Sequence, residues 1–130
     1  NSLVCWAVAV VFLSLGITKV LDFVSPEVFV FHKSFFERIT PLWHYRVFKH
    51  LTPAQVVPNP MNFQRLVGWT ESVLAIILAL FSSHRRTAAF GLFLVTCGAV
   101  LTHTWLEEEI NFPLTIGMGC LFIYFTHSRV

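Results

Sequence analysis

Leu66 to Ser83 is an apolar run long enough to cross a bilayer, yet it carries one carboxylate, Glu71, in its first turns. A charge there is costly in hydrocarbon, so it must face protein or water and find a partner. By the helical period, Gly68, Leu74, Ala75, Leu78 and Ala79 share the face of Glu71. Trp69, Val73, Ile76 and Leu80 fall roughly opposite. Small residues and a charge on one side, bulky apolar ones on the other, describe a membrane helix that turns its Glu71 face toward a bundle.

Composition supports that reading. Of 130 residues 55% are hydrophobic and 12% charged, with mean hydropathy +0.69. Soluble domains carry about 25% charged residues, so this chain belongs to the membrane class. A net charge of +2 without a basic run is too small to argue for nucleic acid, and no nucleic-acid partner is expected. Cys5, Cys97 and Cys120 lie in apolar stretches without C-x-x-C spacing and read as buried packing residues.

In chain order, a first membrane helix is expected over 3–24, since Lys19 and Asp22 stand where a signal-peptide cleavage site would lie. Ser25-Pro26-Glu27 then has the form of a helix start: a cap, a proline in the first position, an acid in the first turn. Val28, Phe31, Phe35, Ile39 and Leu42 repeat at helical spacing among Lys33, Ser34, Glu37 and Arg38. This predicts an amphipathic helix lying at the membrane surface, interrupted at Pro41. A mixed aromatic and basic stretch, 42–51, follows, and 52–62 with its three prolines is expected to be a loop. The interfacial arm thus spans 25–64. Further spans are expected at 66–83, 87–106 and 110–126, the last with Pro113 tolerated in its first turn. The predicted fold is all-α: a four-helix transmembrane bundle with an amphipathic interfacial arm between the first two spans. Trp43, Tyr45, Trp69 and Trp105 are the expected interfacial anchors. The distribution of Lys and Arg favours the side bearing the arm as cytoplasmic, or matrix-facing in a mitochondrion.

Alternating helix direction places Lys19, Asp22, Glu71 and His103 toward one membrane face. An ion pair between Lys19 and Glu71 is expected, with His103 or Asp22 completing the network in a structural or partner-binding role. His103 and Glu107 are spaced i,i+4, but a metal site needs three or four ligands, and His32, His44 and His50 share no ligand spacing. No metal or cofactor is expected. Neither a phosphate-binding glycine loop nor a nucleophile elbow occurs, so nothing in the sequence points to an enzyme.

Two runs carry a family resemblance. Gly16-Ile17-Thr18-Lys19 resembles the G-x-x-K signature of DoxX-like membrane proteins. Asn59-Pro60 followed by Val67-Gly68-Trp69-Thr70-Glu71 resembles the second-helix entry of the transmembrane protein 35 family, which includes a nicotinic acetylcholine receptor chaperone. Phe35 to Leu42 is similar to the amphipathic segment those proteins place before that helix, and His103 matches a recurrent position. The segment 44–57 and the turn Glu107-Glu108-Glu109 depart from the pattern.

The resemblance implies a small non-enzymatic membrane protein of the endoplasmic reticulum, acting as an assembly chaperone or accessory subunit. Its expected partners are membrane lipids and other integral membrane proteins, such as receptor or respiratory-complex subunits. One alternative is an accessory subunit of a mitochondrial inner-membrane respiratory or ATP-synthase assembly. Another is a quinone-linked redox subunit, as in some DoxX relatives.

Overall fold

The computed structural model describes residues 2–51 and 58–127. Among these the chain is all-α: α1 (Ser2–Val20), α2 (Pro26–Arg46), α3 (Pro60–Leu80), α4 (Arg85–Trp105) and α5 (Asn111–Thr126), with 3-10 turns at Phe48–His50 and Ser82–His84. Three stretches, Leu3–Val20, Pro60–Leu80 and Ser82–Trp105, are long and apolar enough to cross a membrane; α5 is apolar but shorter.

Several boundaries differ from the sequence expectation. Helix α1 stops at Val20 rather than running to 24, with Leu21 N–H closing on the Ile17 carbonyl at 2.9 Å. Residues 22–24 form a turn, and Ser25, the residue before Pro26, is extended at φ −152°. Ser25 does occupy the cap position, but its hydroxyl makes no capping bond; its carbonyl accepts Phe29 N–H.

Pro41 does not interrupt α2, which continues to Arg46. The bond a proline removes would have gone to the carbonyl of Glu37. Both residues are exposed, so water can take that carbonyl. On the buried side Thr40 Oγ1 donates to the Phe36 carbonyl at 2.6 Å.

Helix α3 begins at Pro60, six residues before the expected span, while 52–57 of the expected loop lie outside the described residues. Asn59 caps it, its Oδ1 accepting Met61 N–H at 2.8 Å, and Pro60 holds the first position. The earlier start moves Glu71 from the first turns to mid-helix, roughly 17 Å along at 1.5 Å per residue. The helix ends at Leu80 instead of 83.

The chain divides into two compact units, Asn1–Leu15 with Thr70–Val130, and Gly16–Trp69, so the boundaries fall inside α1 and α3. The first unit is built on an apolar core. Cys5, Val8, Ala9 and Phe12 form one stripe of α1, joined by Ala75 and Leu78 of α3, Ala88, Ala89 and Leu92 of α4, and Cys120 and Ile123 of α5. Small residues bring the helices close: a Cβ on Gly119 would lie 3.4 Å from Val8 Cγ2, and one on Gly117 3.1 Å from Thr96 Oγ1. Cys97, expected to be buried with the other cysteines, is exposed on α4.

The second unit has a different interior. Of the predicted stripe of α2, Ile39 is buried, Phe35 and Leu42 are half-buried, and Val28 and Phe31 are exposed, Phe31 at 67%; His32, Phe36 and Thr40 are buried beside Ile39. Phe36 meets Phe63 edge-to-face, at 5.3 Å between centroids. Phe63 also packs against Phe48 at 5.4 Å and Trp43 at 6.2 Å.

Candidate functional site

The buried charged and polar residues include Lys19, His32, Thr40, Gln64, Glu71, Ser72, Thr96 and Thr102. Four of these eight, Lys19, His32, Thr40 and Gln64, lie in the second unit, where among the described residues they outnumber the two buried hydrophobics, Phe36 and Ile39, which makes its interior the candidate site.

Helix ends leave carbonyls without intrahelical partners, and the last turn of α1 solves this with a side chain from α3. Gln64 is fully buried and its Nε2 donates to the carbonyl of Lys19 at 2.9 Å. One turn further along α3, Gly68 lies against the same stretch. A Cβ there would meet Gly16 O, Lys19 Cβ and Val20 Cγ2, each at 2.8 Å. Only a glycine allows this approach. The two runs that carry the family resemblance, G-x-x-K and V-G-W-x-E, therefore touch each other at Gly68.

His32 enters from α2. Its Nε2 lies 3.1 Å from Thr18 Oγ1, and its pKa is lowered to about 4, first by burial and then by the charge of Lys19. The imidazole is therefore neutral over the physiological range. The Gln64 Oε1 has no hydrogen-bond partner among the described residues.

Of the residues singled out from the sequence, Lys19 is 8% exposed and Glu71 is 4% exposed. They fall in different units, and each has interactions. The face predicted for Glu71 is buried or half-buried, and Trp69, Val73, Ile76 and Leu80 are exposed, as expected. Asp22 does not join the buried set; it is exposed in the turn after α1 because the helix ends early.

His103 is half-buried and its Nδ1 lies 2.9 Å from Glu108 Oε1. The expected i,i+4 relation to Glu107 is replaced because α4 ends at Trp105 and Glu107 takes a left-handed conformation, φ 58°. Glu108 N–H then reaches the His103 carbonyl at 2.8 Å and Glu107 N–H the Thr104 carbonyl at 3.1 Å, a Schellman closure. No group of three or more metal-ligating side chains occurs among the described residues.

The anchors divide. Tyr45 and Trp69 are exposed, Tyr45 with Lys49 Nζ 3.9 Å above its ring; Trp105 is half-buried. Trp43 instead packs on Phe48 and Phe63 within the second unit.

The basic stretch His84-Arg85-Arg86 stands at the turn into α4. Arg85 donates from Nε to the Leu78 carbonyl at 2.9 Å and from Nη2 to Ala79 at 3.0 Å, sealing the end of α3. Arg86 Nε donates to the Tyr124 carbonyl at 3.0 Å, near the end of α5, with its guanidinium 4.1 Å over the Tyr124 ring. Two neighbouring arginines thus close two different helices, where both charge and hydrogen bonding favour a cation.

Gln64 and His32 also escaped the sequence reading, although a signal existed. Gln64, Gly68, Glu71, Ala75 and Leu78 follow one face at i, i+4, i+7, i+11 and i+14, once the helix is started at Pro60. Comparison of the chain with known protein families, with curated proteins and with solved structures finds no match.

Proposed function

We propose that this chain is a non-enzymatic integral membrane protein with α1, α3, α4 and α5 as its spans, working as an assembly chaperone or tightly bound accessory subunit of a larger membrane complex. The observation that carries the reading is the uncovered apolar surface. In the three span-length stretches only 39%, 39% and 28% of the residues are buried inside the protein. In lipid, helix association gains nothing from water exclusion and depends on close packing and polar contacts. A small protein with so much apolar helix outside its own core has surface to give to lipid and to another protein's membrane helix.

Helix α5, at 16 residues, is about 24 Å long against a hydrocarbon thickness of about 30 Å. It spans with local thinning of the bilayer, whose cost is modest. In this reading, which the motif resemblance motivates, the protein is a DoxX-like protein of the endoplasmic reticulum membrane, with the mitochondrial inner membrane as the alternative. Lys19 and Glu71 serve in this reading as a buried ion pair that fixes helix register.

Gentle solubilisation of the chain from its native membrane, followed by mass spectrometry of what travels with it, tests the proposal. Substoichiometric immature receptor subunits support the chaperone, and a stoichiometric respiratory or ATP-synthase complex supports the mitochondrial subunit. A chain that runs alone after in-membrane crosslinking ends both. The pairing has its own test. Glu71→Gln should cut folded yield, and adding Lys19→Met should restore part of it; a double variant no better than either single change refutes the pair.

A further inference from the structure

Helix α2 has a second apolar flank besides the one that faces the interior of its unit. By the helical period Val28, Phe31, Phe35 and Leu42, at i, i+3, i+7 and i+14, form one line along it. Val28 and Phe31 are exposed and Phe35 and Leu42 half-buried. Phe23 and Val24, in the turn before the helix, extend the exposed surface. Ile39, which the sequence placed in the same stripe, is turned inward. A helix packed on a protein in water needs one apolar flank; a second requires a second apolar neighbour.

Two contacts show where that neighbour lies. His32 of α2 meets Thr18 in the last turn of α1, and Phe36 meets Phe63 in the first turn of α3. Both partners stand at the ends of span-length stretches, Leu3–Val20 and Pro60–Leu80. Where those stretches span, a helix packed on their ends lies at the level at which hydrocarbon gives way to headgroups. Charge agrees with this placement. Arg38 and Arg46 border the exposed line, and the Arg38 guanidinium lies 5.6 Å from the centre of the Phe35 ring. Lys49 follows, its Nζ 3.9 Å from the centre of the Tyr45 ring. By the same period Lys33 and Glu37 fall on the far side of the helix, while Glu27, in the first turn, is the acid at the edge of the line. Aromatic and aliphatic residues in a line, bordered by cations, are the composition of a helix that lies on anionic lipid.

We propose that this flank of α2 docks on the anionic surface of a bilayer leaflet. Val28 and Phe31 enter between the headgroups, Phe35 and Leu42 lie at the boundary, and Arg38, Arg46 and Lys49 stand among the negative headgroups. The occupant is the bilayer and not a second protein. The placement rests on the membrane reading above.

The test uses the whole 130-residue chain, reconstituted in phosphatidylcholine vesicles with and without phosphatidylserine. Nitroxide labels are placed at Val28→Cys, Phe31→Cys, Lys33→Cys and Glu37→Cys. The background is Cys97→Ser, since Cys97 is exposed whereas Cys5 and Cys120 are buried. Collisions with oxygen, which concentrates in lipid, are compared with collisions with a neutral nickel chelate, which stays in water. A label at Leu94→Cys, exposed on α4, reports whether that stretch lies in lipid. In vesicles with phosphatidylserine the oxygen-to-nickel ratio at 28 and 31 should exceed that at 33 and 37 at least fivefold. At 31 it should be at least twofold higher with phosphatidylserine than without, and Arg38→Gln combined with Arg46→Gln should abolish that difference. Nickel collisions that dominate at 28 and 31 while 94 stays in lipid overturn the docking surface and leave the spans standing. Oxygen that dominates at 28 and 31 while 94 is in water keeps the surface and loses the spans. A flank that neither reagent reaches is covered by a second copy of the chain, which overturns the proposal. Ratios indifferent to phosphatidylserine overturn the anionic preference.

Discussion

The two units of this protein bury helix against helix with different proportions of polar side chain: among the described residues each buries four, beside eleven buried hydrophobic residues in the first and two in the second. The first closes on Phe12, Leu78, Leu92 and Ile123 with alanines and cysteines between them. The second closes on Lys19, His32, Thr40 and Gln64 beside an aromatic cluster around Phe63. An apolar interior is held by shape alone, and its errors are repaired by small shifts of side chains. A polar interior has to satisfy each donor and acceptor, and its errors stay unmade. The first unit should therefore tolerate substitution where the second does not.

The sharpest way to break that contrast is a pair of glycine substitutions. Gly68→Ala in the second unit drives a Cβ to 2.8 Å from the Gly16 carbonyl, a backbone atom that cannot step aside. Overpacking of this kind costs about 3 kcal/mol, the upper end of its usual range, because backbone must move. Gly91→Ala in the first unit meets Leu74 Cδ1 at 2.9 Å, the tip of a flexible side chain. There the gain in helix propensity, about 1 kcal/mol, should offset the repacking and leave stability within about 0.5 kcal/mol of the parent. Thermal or detergent unfolding of both variants checks this. Equal losses at the two positions would remove the distinction between the units.

His32 sharpens the comparison through pH. Its folded pKa of about 4 lies below the ordinary 6.5, so the unfolded chain binds the proton first as pH falls. Stability is undiminished above pH 6.5, declines by about 1.4 kcal/mol per unit below it, and the decline from this group ends near pH 4. Between pH 6.5 and 5 the loss is about 2 kcal/mol. His32→Leu should flatten that slope, although the variant starts less stable because Thr18 loses its contact. An unfolding midpoint with the same pH dependence in parent and variant would show that His32 is not held neutral.

The sequence made the first unit readable and left most of the second hidden. Spans at 87–106 and 110–126 fall within two residues of α4 and α5, because Arg85-Arg86 and Glu107-Glu108-Glu109 flank them. The buried face of α3 from Glu71 onward followed directly from the helical period. The second unit failed for physical reasons that period cannot express. Pro60 was taken as loop because prolines punctuate loops, yet with Asn59 before it a proline opens a helix. The stripe of α2 holds at Ile39 and fails at Phe31, because Phe31 and Phe36 are equally apolar; which one is buried depends on Phe63, twenty-seven residues beyond Phe36. Nothing local to Arg85 and Arg86 shows that their targets are carbonyls on two other helices.

Those arginines give the next test, and it probes the first unit where it is polar. Arg85→Met keeps the aliphatic stem and removes both bonds to the end of α3. Hydrogen bonds from a charged donor contribute about 1.5–3 kcal/mol each in protected sites, and partial exposure brings the pair to about 2 kcal/mol. Arg86→Met loses one such bond and the Tyr124 stacking, for about 1.5 kcal/mol. Amide exchange should quicken at the end of α3 in the first variant and of α5 in the second. Exchange that is unchanged at both ends would mean that water replaces the guanidinium without loss.

The smallest expected effect is a gain. Glu107 sits at φ 58° at the position after the cap of α4, where a side chain costs about 1 kcal/mol relative to glycine. Its own contribution to the turn is backbone only, the N–H to Thr104, which glycine supplies equally. Glu107→Gly should therefore raise stability by about 0.5–1 kcal/mol, since the greater freedom of glycine in the unfolded chain returns part of the gain. The neighbouring His103–Glu108 contact is untouched by the change and so serves as its control: Glu108→Gln should weaken that contact without reproducing the gain. If Glu107→Gly instead destabilises the chain, the carboxylate of Glu107 has a function at this turn that outweighs the strain, and the acidic end of α4 becomes a place to look for a partner.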